Sequence, residues 1–217
     1  GGSHIMEKNV NFRSIGATTY LSPVPVVMLG CADPAKNIKP NLITVAWAGV
    51  VCSKPPMISV SIRKERYSHG LISQSGEFVV NLVDQERCKA VDFCGVRSGK
   101  DIDKWQACGI TPMKALGMEH APAIAECPAY LACKVRQVLE LGSHDMFIGE
   151  VVDGGVLSDA PSCSYGYYQS TIKAQAPKPA PAAKKQWVCS ICGYVYEGEQ
   201  VPDDYLCPLC KHGKEFF

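Results

Sequence analysis

Two closely spaced cysteine pairs restrict the fold of this chain more than any other feature of its sequence. Cys189 and Cys192 form one Cys-x-x-Cys pair, and Cys207 and Cys210 form another. Two residues between thiolates allow a single turn to present both sulfurs to one ion, and two such turns complete a tetrahedron. Gly193, directly after the first pair, permits the positive φ that closes such a turn. The spacing therefore predicts a four-thiolate metal site.

The segment around this site is small, and its charge limits what it can bind. Residues 187–217 cannot bury enough apolar surface by themselves, so the metal is expected to supply much of their folding free energy. Zinc and iron both accept four thiolates in a tetrahedron, so the spacing leaves the metal open. The segment carries two lysines against five acidic residues, which is the wrong sign for a zinc ribbon that binds nucleic acid.

A stretch of proline, alanine and lysine divides the chain. Residues 174–186 hold no large apolar side chain, so we expect a semi-rigid linker that reaches roughly 40 Å at ~3.1 Å per residue. We therefore predict a large domain over residues 7–173 and a small one over 187–217. Residues 1–6 are interpreted as the remnant of an expression tag and are excluded from the fold prediction.

Composition and cysteine usage exclude several classes of protein. The 217 residues carry a formal net charge of +1, which argues against a dedicated nucleic-acid binder. No apolar run approaches the roughly 18 residues of a membrane span, so we expect no membrane association. The other eight cysteines are scattered and no secretory signal accompanies them, so we expect free thiols rather than disulfides, and a cytoplasmic location.

The large domain is expected to be mainly β. Segments rich in valine, isoleucine and aromatic residues are separated by turn residues. The predicted strands are residues 24–30, 42–51, 57–62, 78–83, 130–141 and 147–156. Two helices are predicted, at 68–75 with Ser68 as its N-cap and at 85–94. Mostly antiparallel strands with few helices favour a barrel or sandwich, and no GxGxxG follows a strand, so a Rossmann-type site is not indicated.

The cysteine segment resembles a family of electron carriers. The segment is similar to rubredoxin, in the short-loop form attached to rubrerythrins. The similar residues are Cys189-x-x-Cys192-Gly-Tyr-x-Tyr, then Pro202-Asp, and then Cys207-Pro-x-Cys210. The resemblance implies one iron, rather than zinc, on the four cysteines. Such a centre passes one electron and carries out no bond chemistry.

Most of residues 12–170 resemble the flavin reductase and flavoredoxin family. The similar segments are residues 20–28, 41–62, 66–72, 76–81 and 144–151. The resemblance implies an FMN-binding split β-barrel with a few helices, a homodimer, and FMN held without a covalent link near the subunit interface. Together with the small rubredoxin-like metal-binding domain, the chain resembles the high-molecular-weight rubredoxins, which pass electrons to flavodiiron proteins.

The same resemblance implies which residues contact the cofactors. Contacts to the flavin ring fall on Ala46, Trp47, Ala48, Cys52 and Ser53. Contacts to the phosphate fall on Arg63, Lys64, Tyr67 and Ser68, with Lys100 and Lys104 as further candidates. His144 is expected to line the nicotinamide pocket and to be catalytic, although Ser143 replaces the aspartate that usually precedes it.

The residues alone leave other interpretations of these positions open. Trp47 could be a core side chain and Cys52 a small buried residue. Lys64 and Lys100 could be solvated surface charges, and His144 could cap a turn at a strand edge.

These features predict an electron-transfer oxidoreductase. In this hypothesis NAD(P)H reduces FMN, the tethered iron centre takes electrons singly, and a redox partner of the flavodiiron type receives them. One alternative is an electron carrier without NAD(P)H activity of its own. The other is a flavin reductase that releases reduced flavin, which the fused metal domain disfavours because a tethered acceptor would be redundant.

Overall fold

A computed structural model of the chain separates into two units, Gly1–Lys173 and Ala174–Phe217. It describes residues 11–35, 39–87, 98, 103–164, 167, 170–171 and 185–217. In this part of the chain, no helix is both long and apolar enough to span a lipid bilayer. The predicted linker falls almost wholly outside the described residues.

Seven antiparallel strands form the main sheet of the first unit. They are β1 (Val27–Cys31), β2 (Asn41–Val45), β3 (Ala48–Ser53), β4 (Pro56–Arg63), β5 (Glu77–Leu82), β8 (Ala129–Glu140) and β9 (His144–Val156). Their order across the sheet is β2-β1-β5-β8-β9-β4-β3. Two short strands, β6 (Pro112–Lys114) and β7 (Pro122–Ile124), pair with each other beside it.

The two edge strands of the sheet are consecutive in the chain. Only Ala46 and Trp47 separate β2 from β3, so the sheet must curl until its edges meet. Within that junction the carbonyl of Trp47 accepts a 3.0 Å hydrogen bond from the amide of Ser61 on β4. The fold is therefore a split barrel with a seam at Ala46 and Trp47. The prediction of a mainly β split barrel is confirmed, although the single strand expected at 42–51 is interrupted there.

Strand β1 lies between two groups of packed side chains. Val27 and Leu29 belong to the barrel interior, with Phe78 and Phe147. Met28 points to a second cluster that includes Trp105. Because both faces are covered, the strand is a continuous apolar run rather than an alternating one. Gly30 is required there, since a Cβ at that position would lie 2.0 Å from the carbonyl oxygen of Pro122.

The helices differ in part from the prediction. Helix α1 (Tyr67–Ser75) begins after Arg66, whose side chain makes no capping bond, so the prediction of Ser68 as N-cap is wrong. Ser68 is inside the first turn, where its Oγ accepts a 2.8 Å hydrogen bond from Nδ2 of Asn41. Most of the helix predicted at 85–94 lies outside the described residues. A short helix, α2 (Lys104–Cys108), was not predicted, and Asp103 caps it through the amides of Trp105 and Gln106.

The second unit has little apolar core. It contains a hairpin of β10 (Gln186–Val188) and β11 (Val195–Glu197) and a 3₁₀ turn, Lys214–Phe216. Three of its described residues are buried, namely Cys189, Val201 and Cys207. Tyr205 contacts the rings of Tyr196 and Phe217 at 4.6 and 5.4 Å. A module with so few buried side chains needs a further source of stability, as a bound metal would provide.

The scattered cysteines largely follow the expectation of free thiols. In the described part of the large unit, the free cysteines include Cys31, Cys52, Cys127 and Cys133. Cys163 is disulfide-bonded, which corrects the expectation that the chain has no disulfides. The absence of a secretory signal, on which that expectation depended, does not prevent an individual pair of thiols from lying within bonding distance.

Candidate functional site

The four predicted metal ligands meet at one point in the second unit. The Sγ atoms of Cys189, Cys192, Cys207 and Cys210 all lie within 4.8 Å of one another. Two of the separations are 3.7 Å, between Cys189 and Cys210, and 3.4 Å, between Cys192 and Cys207. A metal–sulfur bond of about 2.3 Å gives a tetrahedron with sulfur–sulfur edges of about 3.8 Å. The thiols are therefore already spaced to hold one tetrahedral ion.

Two similar turns hold the sulfurs. The amide of Gly193 bonds to the carbonyl of Cys189 at 2.8 Å, and the amide of Lys211 bonds to the carbonyl of Cys207 at 2.9 Å. Both residues at the closing position have positive φ, 75° at Gly193 and 63° at Lys211. The sequence predicted this for Gly193, and Lys211 adopts the same conformation although it is not glycine.

Backbone amides prepare the first sulfur of each turn to bind a cation. Burial raises the pKa of Cys207, but hydrogen bonds from the amides of Cys210 and Leu209 outweigh it and lower the pKa to about 6. The equivalent amides of Cys192 and Ile191 act on Cys189 and also lower its pKa against the effect of burial. Hydrogen bonds from the amides of Tyr194 and His212 lower the pKa of Cys192 and Cys210, but burial and the neighbouring sulfurs outweigh them and raise it. Since the thiolate is the form that binds metals, Cys189 and Cys207 are the two sulfurs best prepared to bind a cation.

A cleft of about 360 Å³ opens at the seam of the barrel. Its walls are the end of β2, the Ala46–Trp47 junction, the end of β4 and the start of β9. The residues that line it are Ile43, Thr44, Val45, Ala46, Trp47, Ser61, Ile62, Arg63, Arg66 and His144. Its volume is within the roughly 300–1,000 Å³ range of small-molecule sites, and it combines an apolar floor with backbone polar groups and two arginines.

His144 and Trp47 form one wall of this cleft. Their rings lie 4.6 Å apart, tilted by 40°. Nδ1 of His144 is 2.7 Å from Oγ of Ser143, the residue that replaces the usual aspartate. Burial, together with the charge of Arg63 opposite it on β4, lowers the pKa of His144 below its ordinary value of 6.5. The imidazole is therefore neutral at physiological pH.

A second, smaller cavity of about 180 Å³ lies at the start of α1. It is lined by Asn41, Glu65, Arg66, Tyr67, Ser68, Ser98 and Lys104, and it shares Arg66 with the cleft. Lys104 is 2% exposed, and its Nζ donates to the carbonyl of Leu42 at 2.6 Å. An ammonium that is buried beside a cavity is stabilised by an anion, so this cavity suits a phosphate.

Other predicted site residues are placed differently. Ala48 packs against the barrel core and Lys64 faces Asp145, and neither lines the two cavities. Cys52 and Ser53 lie four to five residues along β3 from Ala48, roughly 13–17 Å away at ~3.3 Å per residue. Lys100 lies outside the described residues.

Asn41 and Arg66 line these cavities, although sequence reasoning did not name them as site residues. Asn41 is a buried polar residue at the start of a strand, which was a usable signal. Arg66 gave no such signal, because its place between the two cavities depends on how α1 docks against the barrel.

Comparison with known proteins matches both units. Residues 19–175 match the family model of the flavin reductase like domain, and residues 187–217 match that of the rubrerythrin, rubredoxin-like domain. The high molecular weight rubredoxin of Moorella thermoacetica is 30% identical over 196 residues, 77% of this chain and 84% of that protein. A ferric-chelate reductase (NAD(P)H) of Archaeoglobus fulgidus is 30% identical over 132 residues, 59% of this chain and 75% of that protein.

Solved structures agree with these matches. Flavoredoxin of Desulfovibrio vulgaris (Miyazaki F) superposes with a TM-score of 0.62 at 25% identity, over 92% of this chain and 98% of that one. The predicted resemblances to flavoredoxin and to rubredoxin are thereby confirmed at the level of the family. A flavin reductase-like domain and a four-cysteine domain in one chain form an oxidoreductase of the flavin-linked electron-transfer type. The chain belongs to the flavin reductase-like family and carries, in addition, a rubredoxin-like domain.

Proposed function

We propose that the protein is an electron-transfer oxidoreductase that takes electrons from NAD(P)H, passes them through FMN to an iron ion on its four cysteines, and delivers them to a partner protein. One observation carries this proposal. The same chain contains a cleft of the size of a small-molecule site, a neighbouring cavity suited to a phosphate, and four thiols with tetrahedral spacing. The name of one relative, ferric-chelate reductase (NAD(P)H), includes this electron donor and supports its choice here.

The two cavities of the barrel fit the two ends of FMN. The larger cleft would hold the ring, with the backbone of Ala46 and Trp47 available to the polar ring edge. The smaller cavity would hold the phosphate on Lys104, Ser68 and Tyr67. Arg66 borders both, so its guanidinium can bind the phosphate or the chain that joins it to the ring.

Bound FMN would accept two electrons at once and release them one at a time. The protein orients the donor beside the flavin and provides charged groups that bind it. Trp47 and His144 form the wall against which a nicotinamide can lie. Because His144 is neutral, it can hydrogen-bond a carboxamide without adding a positive charge beside the flavin. Arg63, on the opposite strand, provides a cation for the dinucleotide phosphates.

The metal site is open on one side. Cys189 and Cys207 are buried, whereas Cys192 is exposed and Cys210 is half-buried. Ile191 and Leu209, which precede the two outer ligands, are 52% and 69% exposed. This apolar rim around two accessible sulfurs is suited to a transient protein contact, and we propose a flavodiiron-type protein as the partner.

We also propose a homodimer, in the cytoplasm. Five successive residues at the end of β8, Arg136 to Glu140, are all exposed, and Val138, Leu139 and Leu141 add apolar surface there. The end of β8 pairs with the start of β9, and we call this two-stranded end of the sheet the arm. An arm with so much exposed apolar surface is stabilised when another protein surface covers it. Cys52 and Ser53, remote from the cleft of their own chain, would then be available to a second copy.

The ultraviolet–visible spectrum of the purified protein, recorded with metal analysis, tests the proposal. We expect flavin bands, iron–thiolate bands, and about one iron per chain. On anaerobic addition of NADH or NADPH, both sets of bands should bleach. Zinc in place of iron would contradict the electron path. No bleaching of bound flavin over minutes would favour a carrier that is reduced by a separate enzyme, and loss of flavin on gel filtration would favour a reductase that releases it.

A further inference from the structure

Asp145 is a buried carboxylate that none of the site assignments includes. It lies on β9, is 6% exposed, and contacts two cationic or potentially cationic side chains. Its Oδ2 is 2.7 Å from Nε2 of His69, and its Oδ1 is 3.3 Å from Nζ of Lys64. The hydrogen bond from His69, and then the ammonium of Lys64, hold the pKa of Asp145 below its usual value. The carboxylate is therefore charged at neutral pH.

The two partners of Asp145 bracket the wall of the smaller cavity. Glu65, Arg66, Tyr67 and Ser68 all line that cavity. Lys64 directly precedes this four-residue segment and His69 directly follows it. Both ends of the segment are thus fixed to a single carboxylate on a neighbouring strand. We call residues 65–68 the phosphate segment.

The other contacts of the segment are local or go to a different strand: Oγ of Ser68, for example, accepts a 2.8 Å hydrogen bond from Nδ2 of Asn41 on β2. The amide of Lys64 bonds to the carbonyl of Ser143 at a long 3.4 Å. Inside the segment, the amide of Arg66 bonds to the carbonyl of Arg63, which is a local turn and does not join the segment to β9. At the other end, the ring of His69 meets the edge of Phe147, 5.1 Å away. The side chain of Asp145 therefore makes the closest contact between β9 and both ends of the segment.

We propose that Asp145 is a positioning residue that fixes the phosphate segment, and that it thereby favours phosphorylated flavin over flavin without a phosphate. The inference rests on the proposed FMN site and adds to it the residue that determines its phosphate preference. Asp145 itself lines neither cavity, so it acts through Lys64 and His69. This also assigns Lys64 to the support of the cavity rather than to contact with the phosphate.

The ring cleft should be insensitive to this carboxylate. Neighbouring residues of a strand point to opposite faces, so Asp145 and His144 face different sides of β9. On β4, His144 is paired with Arg63, and Asp145 is paired with Ile62, which borders the cleft but whose side chain is held in the barrel core. Removing the charge of Asp145 should therefore alter phosphate binding and leave contacts with the flavin ring in place.

The test is the affinity of the flavin-free full-length protein for FMN and for riboflavin, which lacks the phosphate. For D145N, we expect FMN binding to weaken by about tenfold or more, the equivalent of one lost charge-assisted hydrogen bond, with riboflavin binding unchanged. H69Q should reproduce part of the loss for FMN. E150Q is on β9, as Asp145 is, and removes the 2.8 Å ion pair with Arg136 of β8, so it should change neither affinity.

Each result separates this inference from the function on which it rests. If D145N binds FMN as the unaltered protein does, or weakens FMN and riboflavin equally, the positioning role is wrong while the FMN site stands. If H69Q leaves FMN affinity unchanged, the attachment of the segment through His69 is wrong. If the unaltered protein binds FMN no better than riboflavin, the proposed phosphate site is wrong, and the inference with it.

Discussion

Lys211 occupies a backbone conformation that normally requires glycine. Its φ is 63°, and it is the one non-glycine residue with positive φ in the described part of the chain. Its counterpart in the first cysteine turn is Gly193, at 75°. For a residue with a Cβ the left-handed region costs roughly 1–2 kcal/mol. The backbone conformation of Lys211 therefore lowers the stability of the metal-binding unit.

Lys211→Gly should stabilise the metal-binding unit. Relief of the strain outweighs the greater unfolded-state freedom of glycine, roughly 0.4–1 kcal/mol, so we expect a net gain of about 0.5–1 kcal/mol. The measurement is the guanidinium midpoint for loss of the metal–thiolate absorption. Gly193→Ala is the matched control and should lower that midpoint, because it introduces the same strain in the other turn. A lower midpoint for Lys211→Gly would show that the lysine side chain contributes more than its backbone costs.

Individual residues differ in how far the sequence could reveal them. The four cysteines were predictable because their ligand spacing is local in the chain. The role of Asp145 was not, because its partners Lys64 and His69 lie more than seventy positions away and meet it only through the pairing of β4 with β9. Ser68 was placed correctly at the start of α1 but is not its N-cap, since α1 begins one residue earlier.

At the scale of elements, the positions of most strands were predictable, but the turn that closes the barrel was not. The strand expected at 130–141 is β8, Ala129–Glu140, whose last five residues are all exposed. Residues 42–51 form one apolar run, but the chain turns at Ala46 and Trp47 to close the barrel. No local signal separates a long buried strand from two strands that belong to opposite edges of one sheet.

The exposed arm at the end of β8 carries the prediction that belongs to this scale. The double substitution Val138→Glu and Leu139→Glu should convert the proposed dimer into a monomer, because it puts two charges into the apolar surface that a second copy would cover. Light scattering coupled to gel filtration measures the mass. Leu116→Glu, at a residue that is 58% exposed outside this arm, should leave the mass of a dimer. A monomeric unaltered protein would contradict the proposal directly.

At the scale of the whole molecule, the two units are chemically complementary. In the proposed function, the cleft of the barrel holds a two-electron cofactor and the four thiols of the second unit hold a one-electron metal. The family of each unit was predictable from short motifs, because the residues that bind a cofactor are more restricted than those that only pack. The electron donor and the final acceptor were not determined in this way, since each depends on surfaces that several partners could fit.

The central claim is that electrons flow from the flavin cleft to the four-cysteine site. Anaerobic reduction of the Cys192→Ser variant, compared with reduction of the unaltered protein, tests this claim most directly. Cys192 is one of the four proposed metal ligands and is remote in sequence from the barrel, and serine replaces its sulfur with a poor ligand for iron. With NADH or NADPH as donor, flavin and one-electron acceptor absorbance are followed together. We predict that the variant lacks iron–thiolate bands, reduces its flavin at a near-normal rate, and fails to reduce the acceptor. Full reduction of the acceptor by the variant, or loss of flavin reduction along with the iron, would contradict the account.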